Sequence, residues 1–206
     1  MGDRARAEMG PTVDGVAHVL QLAHDALRLA TAVLVGSGPG AEREMAELGR
    51  ALTALRNSAD DLDVADEAAD LRSVLTGLYV GQDVGRIGLL TRQVGDIAWE
   101  RRSTRPLPEV VRRPVRDMGE SCLRLIGRTS DVVALAAPHA VVGRELADIS
   151  RRQEALSRLL LEGDLTIVAA DAVDAAVIGR CYEECAYRAV AVARQAAMLR
   201  ETVPGR

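Results

Sequence analysis

Two stretches, laid over one another, decide the fold of this chain: Gly77-Leu78-Tyr79-Val80-Gly81-Gln82-Asp83-Val84-Gly85-Arg86-Ile87-Gly88 and Ala175-Ala176-Val177-Ile178-Gly179-Arg180-Cys181-Tyr182-Glu183-Glu184-Cys185-Ala186. Gly77 falls on Ala175, Gly81 on Gly179 and Gly88 on Ala186, and further along Gly95 falls on Ala193. Each pair is small; Gly85 on Glu183 is the exception. Glycine costs roughly 1 kcal/mol relative to alanine inside a helix, so several on one helix imply a contact that offsets the loss. Positions 77, 81, 85, 88 and 95 lie close to one helical face. Small residues there, with Gly179 in the second stretch, let another backbone approach closely. The expectation is close packing between two long helices, or across a homodimer.

Outward from these stretches the chain reads helix, helix, long helix, twice. Residues 1–12 read as a disordered lead-in ending at Pro11. Helical periodicity then runs over 13–35, with Val16, Leu20, Ala23, Leu27 and Ala30 on one face. The run Gly36-Ser37-Gly38-Pro39-Gly40 breaks it. A second helix is expected over 41–59 and a long third over 66–102, preceded by the acid-rich stretch 60–70, which suits a helix N-terminus. Arg105-Pro106-Leu107-Pro108 ends the third helix, because proline cannot continue the hydrogen-bond ladder. The order repeats over 109–135 (Pro114 draws its start toward Val111), 139–162 and 164–202. No segment alternates as a strand does. The fold class is therefore all-α: two tandem three-helix bundles, 13–105 and 106–206, related by internal duplication and packed through the third and sixth helices.

Composition sets the limits. The 206 residues are 48% hydrophobic but only 2% aromatic, with no Phe, so the core must be built from Leu, Val, Ile and Ala. A net charge of −4 argues against generic nucleic-acid binding, which needs a basic surface. No apolar run reaches the roughly 20 residues that span a bilayer, and the first residues lack a signal peptide's apolar stretch. Three Cys, an odd number, fit a reducing compartment without a disulfide framework. A cytoplasmic protein is the expectation.

The segment Asp70-Leu71-Arg72-Ser73-Val74 followed by Asp83-Val84-Gly85-Arg86-Ile87-Gly88 resembles the PhoU family of phosphate-uptake regulators, whose long helices carry a DLR element and then D-L-E-R-I-G-D. Residues 179–189 are similar to that family's second copy. The resemblance implies a cytoplasmic regulator of phosphate uptake and phosphate-responsive signalling that acts by contact, with a phosphate ABC transporter ATPase and a sensor histidine kinase as partners. It is not expected to be an enzyme. The residues singled out as partner-binding are Asp70, Arg72, Asp83 and Arg86 in the first copy and Arg180, Glu183, Glu184 and Arg188 in the second. The plainer reading makes Asp83–Arg86 and Glu184–Arg188 intrahelical ion pairs, worth about 0.2–0.5 kcal/mol. A helical adaptor of the same fold with a different partner is the alternative.

The family's helices also carry acids one turn apart that hold metal clusters. Here those places are Gly85 and Leu89 in the first copy, Glu183 and Tyr187 in the second. One carboxylate is too few for a hard divalent ion, so neither a metal nor a cofactor is expected. Cys181 and Cys185 lie one turn apart, but structural zinc wants four ligands, and the three His, at 18, 24 and 139, show no ligand spacing. Buried core thiols are the default. No Glu-x-x-His pair, Walker loop or GxSxG elbow occurs. The arginines at 101, 102, 105, 112, 113 and 116 form a basic cluster that either pairs with nearby acids or docks an acidic surface.

Overall fold

The computed structural model describes residues 2–36, 41–60, 71–104, 106–134, 142–162 and 167–201. Six helices account for nearly all of them: α1 (Gly2–Val35), α2 (Ala41–Asp60), α3 (Leu71–Thr104), α4 (Glu109–Val133), α5 (Val142–Glu162) and α6 (Ala169–Glu201). No strand occurs among the described residues. Helix α1 continues through the residues read from sequence as a lead-in, and Pro11 lies inside it. The stretch Arg4-Ala5-Arg6-Ala7-Glu8-Met9 is made of strong helix formers, and proline's fixed φ is compatible with a helix even though it forfeits a hydrogen bond.

Helix α1 packs against α2, α3 and α4, and α6 packs against α3, α4 and α5. Four helices, α1, α3, α6 and α4, therefore close a ring, with α2 flanking α1 and α3 and α5 flanking α4 and α6. The third and sixth helices do meet, as the sequence implies, but α1 and α4 form a second seam. One hydrophobic cluster runs through all six helices.

The duplication is visible in burial. Val80, Val84, Ile87, Thr91 and Val94 are buried on α3, and Ile178, Tyr182, Cys185, Ala189 and Val192 on α6. These sets share the separation of 98 positions that relates Ile87 to Cys185, whose Sγ lies 4.0 Å from the Ile87 carbonyl oxygen. Each fully buried Leu or Ile contributes about 1.5–3 kcal/mol relative to exposure. The single large aromatic in the core is Tyr182, whose hydroxyl meets Thr31 Oγ1 at 2.8 Å. Gly119 makes room for this pair: a Cβ there would lie 2.7 Å from Thr31 Cγ2 and 3.2 Å from the Tyr182 hydroxyl.

Helices α4 and α6 begin in the same way. The Pro108 carbonyl accepts from the Val111 and Arg112 amides, and the Val168 carbonyl accepts from those of Asp171 and Ala172. No helix among the described residues is long and apolar enough to cross a membrane.

Candidate partner-binding surface

Helices α3 and α6 run antiparallel: Asp83 meets Arg188, Arg86 meets Glu184, and Arg101 meets Asp174 and Asp171. Beneath the seam the contacts are apolar. Along its rim they are ionic, because positions 83, 86, 184 and 188 flank the buried stripe on each helix.

The rim forms one connected ladder. Arg188 Nη1 donates to Asp83 Oδ1 at 2.9 Å, and Arg188 Nη2 lies 3.7 Å from Glu184 Oε1. Arg86 then grips both carboxylate oxygens of Glu184, from Nε at 2.8 Å and Nη2 at 3.2 Å. This two-pronged geometry is the favoured one for a guanidinium and a carboxylate. The hydrogen bond from Arg86 holds the Glu184 carboxyl below its usual pKa, and the same bond raises that of Arg86. One turn earlier, Arg180 Nη1 donates to Glu183 Oε2 at 2.7 Å. Asp83 is nearly buried, while Arg86 remains half-exposed.

Of the residues singled out from sequence, Asp83, Arg86, Glu184 and Arg188 thus share one ladder, while Arg180 and Glu183 pair with each other on α6 outside it. Asp70 lies outside the described residues, as does the side chain of Arg72. Asp83 reaches across to α6 rather than along its own helix to Arg86. An antiparallel neighbour offers a closer partner than the next turn, and linear spacing does not reveal it.

The small residues are turned differently from the sequence reading. Gly88 faces Leu55 of α2, with 3.9 Å from a Cβ to the Leu55 side chain, and Gly95 faces Leu52, at 2.7 Å. Gly179 faces Gln153 and Leu156 of α5, the latter at 2.8 Å. These three admit the flanking helices instead of the other long helix. A Cβ on Gly85 would meet nothing within 4 Å. Gly77 is buried and Gly81 half-buried. The α3–α6 seam is filled by Val84, Ile87, Cys185 and their neighbours, so the glycines fall on the adjacent face, where the shorter helices sit.

The places that hold metal in the PhoU family do not fit a cluster here. Gly85 has no side chain, Leu89 is an exposed aliphatic, Glu183 is engaged by Arg180, and Tyr187 is an exposed phenol. Among the described residues, no group of three or more His, Cys, Asp or Glu side chains is placed to hold a metal ion. All three cysteines are free and buried. Burial pushes the Cys181 thiol up to about 12; Cys185 is raised as well, first by its hydrogen bond with Cys122. Neutral thiols in the core are poor ligands and poor nucleophiles.

Sequence reasoning missed a buried ionic clamp. Arg101 donates to Asp171 Oδ1 and Asp174 Oδ2, each at 2.7 Å, tying the end of α3 to the first two turns of α6. Arg101 and Asp171 are almost wholly buried. Arg112 is likewise engaged, by Glu109 and the Leu107 carbonyl. The basic cluster read from sequence is therefore partly structural. Only the acid in the first turn of α6 hinted at this.

The chain is 30% identical over 133 residues to the phosphate-specific transport system accessory protein PhoU homolog 2 of Mycobacterium tuberculosis and to that of Mycobacterium bovis. It is 28% identical over 138 residues to PhoU homolog 1 of Mycobacterium leprae. The matched stretches cover 64% of this chain and 62, 62 and 60% of those relatives, so the chain spans somewhat under two thirds of their length. No family-level sequence profile matches.

Proposed function

We propose that this protein is a PhoU-like regulator of phosphate uptake and phosphate-responsive signalling. It acts in the cytoplasm by protein–protein contact and carries out no bond chemistry. The observation that carries this reading is the likeness to accessory proteins of phosphate-specific transport, extending over 133 residues. The all-helical fold, in which buried positions of α3 recur on α6, supports it, with 13–105 and 106–206 as the two repeats of the proposal. Its partners are a phosphate ABC transporter ATPase and a sensor histidine kinase, and it forms a homodimer or acts as a single copy. The rim ladder of Asp83, Arg86, Glu184 and Arg188, with Arg180 and Glu183 beside it, is the surface such partners read.

Deleting the gene and growing the cells in phosphate-replete medium tests the reading. Phosphate uptake and phosphate-responsive transcripts should rise and be restored by a wild-type copy; unchanged uptake and transcripts would overturn it. The family's metal role is proposed to be lost, because Gly85, Leu89 and Tyr187 supply no carboxylate. Its melting temperature is then the same with chelator, iron or zinc, since a ligand that binds only the folded state raises stability with its concentration.

The same substitutions favour a second reading, a helical adaptor for another partner. Deletion would then leave phosphate uptake unchanged while disturbing a different process.

A further inference from the structure

We infer that the open groove between α2 and α3 is a docking site for an acidic amphipathic helix of a partner protein. The inference deepens the regulatory reading and rests on it only for the partner's identity.

Two hollows of about 440 and 610 Å³ adjoin along this seam, with Thr53 lining both. A large apolar side chain is exposed at each end of the groove. Leu89 is 49% exposed at one end and Trp99, the chain's only tryptophan, is 56% exposed at the other. Between them α2 presents Gly49, where a Cβ would meet nothing within 4 Å. From Leu89 to Trp99 the groove follows α3 for about 15 Å. That is close to three helical turns, the length over which a docked helix places anchors at i, i+4 and i+7.

Charge selects the occupant. Arg50, Arg56 and Arg92 line the groove, against Asp96 alone among its acids. None of the three arginines makes a hydrogen bond or ion pair with a described side chain, whereas Arg86, Arg101 and Arg188 on the neighbouring seam are all paired. Three guanidinium groups without a described partner flank a groove that is mainly apolar at its Trp99 end and carries Leu52 and Leu89 at the other, on a chain whose net charge is −4. This matches a helix with an apolar stripe edged by Glu and Asp. Tryptophan and arginine are also the side chains that most often dominate binding energy at protein interfaces.

Trp99 reports on the groove directly. The full-length protein is titrated with two Trp-free synthetic helices that share a leucine stripe, one edged with Glu and the other with Arg. The acidic helix should shift Trp99 emission and bind about tenfold tighter than the basic one at low salt. A variant carrying Arg56→Glu and Arg92→Glu should reverse that preference, since rim charges set partner choice. Its melting temperature should match the wild type, because neither arginine is buried. Equal binding of both helices, no binding of either, or an unreversed preference in the double variant would overturn the proposal. So would a wild-type dimer in sedimentation that the double variant dissociates, which would assign the groove to a second copy of this chain.

The purified kinase cytoplasmic region and transporter ATPase from the same genome are then tested with both proteins. Loss of their binding in the double variant supports the groove. Binding retained there overturns it and leaves the phosphate reading standing. If neither protein binds the wild type while the acidic helix does, the phosphate reading fails and the groove stands.

Discussion

Helix α5 on α6 and helix α2 on α3 are equivalent parts of a duplicated fold, yet they close differently. Against α6, Gln153 and Leu156 press on Gly179 so tightly that no Cβ fits without a shift. Against α3, Leu52 presses on Gly95 just as tightly, at 2.7 Å, and Leu55 reaches Gly88 at 3.9 Å, but Gly49 and Gly85 face open space and a groove remains. Among the described residues, α2 also contacts its long helix less extensively than α5 does. One copy has kept its flanking helix as core packing. The other leaves part of that face open, and the exposed Leu89 and Trp99 lie there with Arg50, Arg56 and Arg92, which pair with no described side chain.

That contrast requires the halves to stay joined, and the strongest way to break it is at the clamp. Arg101→Ala removes the buried guanidinium that bridges Asp171 and Asp174. Removing one partner of a buried pair typically costs about 3–5 kcal/mol, so the variant should unfold at much lower denaturant. A midpoint unchanged from wild type would mean the two halves do not depend on this contact.

Gly179→Leu tests the closed half. The added side chain must displace Gln153 and Leu156, and overpacking of this kind costs about 1–3 kcal/mol. A thermal melt should show the loss.

Gly85→Ala tests the open half and should have the opposite sign. A Cβ there meets nothing, and alanine is better than glycine inside a helix by up to about 1 kcal/mol. A gain in melting temperature sharpens the contrast; a loss would show that Gly85 is held by something beyond its described neighbours.

The smallest effect concerns pH. Glu184 titrates below its ordinary 4.5 because Arg86 hydrogen-bonds the charged form. Its contribution to stability is complete above 4.5 and is lost as the pH falls through the lowered folded value. Glu184→Gln should therefore flatten the acid limb of the stability profile slightly, measured by denaturant titration from neutral to acid pH. An acid limb as steep as the wild type's would assign the dependence to other carboxylates, of which Asp148, lowered by Arg152, is one.

The sequence by itself determined the six helices and their all-α class. Helical periodicity and Pro/Gly breaks are local signals, and they sufficed at Gly36, at Pro106–Pro108 and in the apolar stripes of α3 and α6. It also made the repetition legible, because buried positions recur at one spacing whatever their partners are. Helix ends were less secure where good helix formers flank a proline, as around Pro11, since propensity and proline then pull in opposite directions. Which face meets which helix was decided only in the tertiary structure. Gly88, Gly95 and Gly179 read as a seam for the long helices and instead receive α2 and α5. Asp83 finds Arg188, 105 positions away, and Arg101 finds Asp171, 70 positions away. Spacing along a chain fixes the angle of a side chain around its own helix; the helix that lies at that angle depends on how all six pack at once.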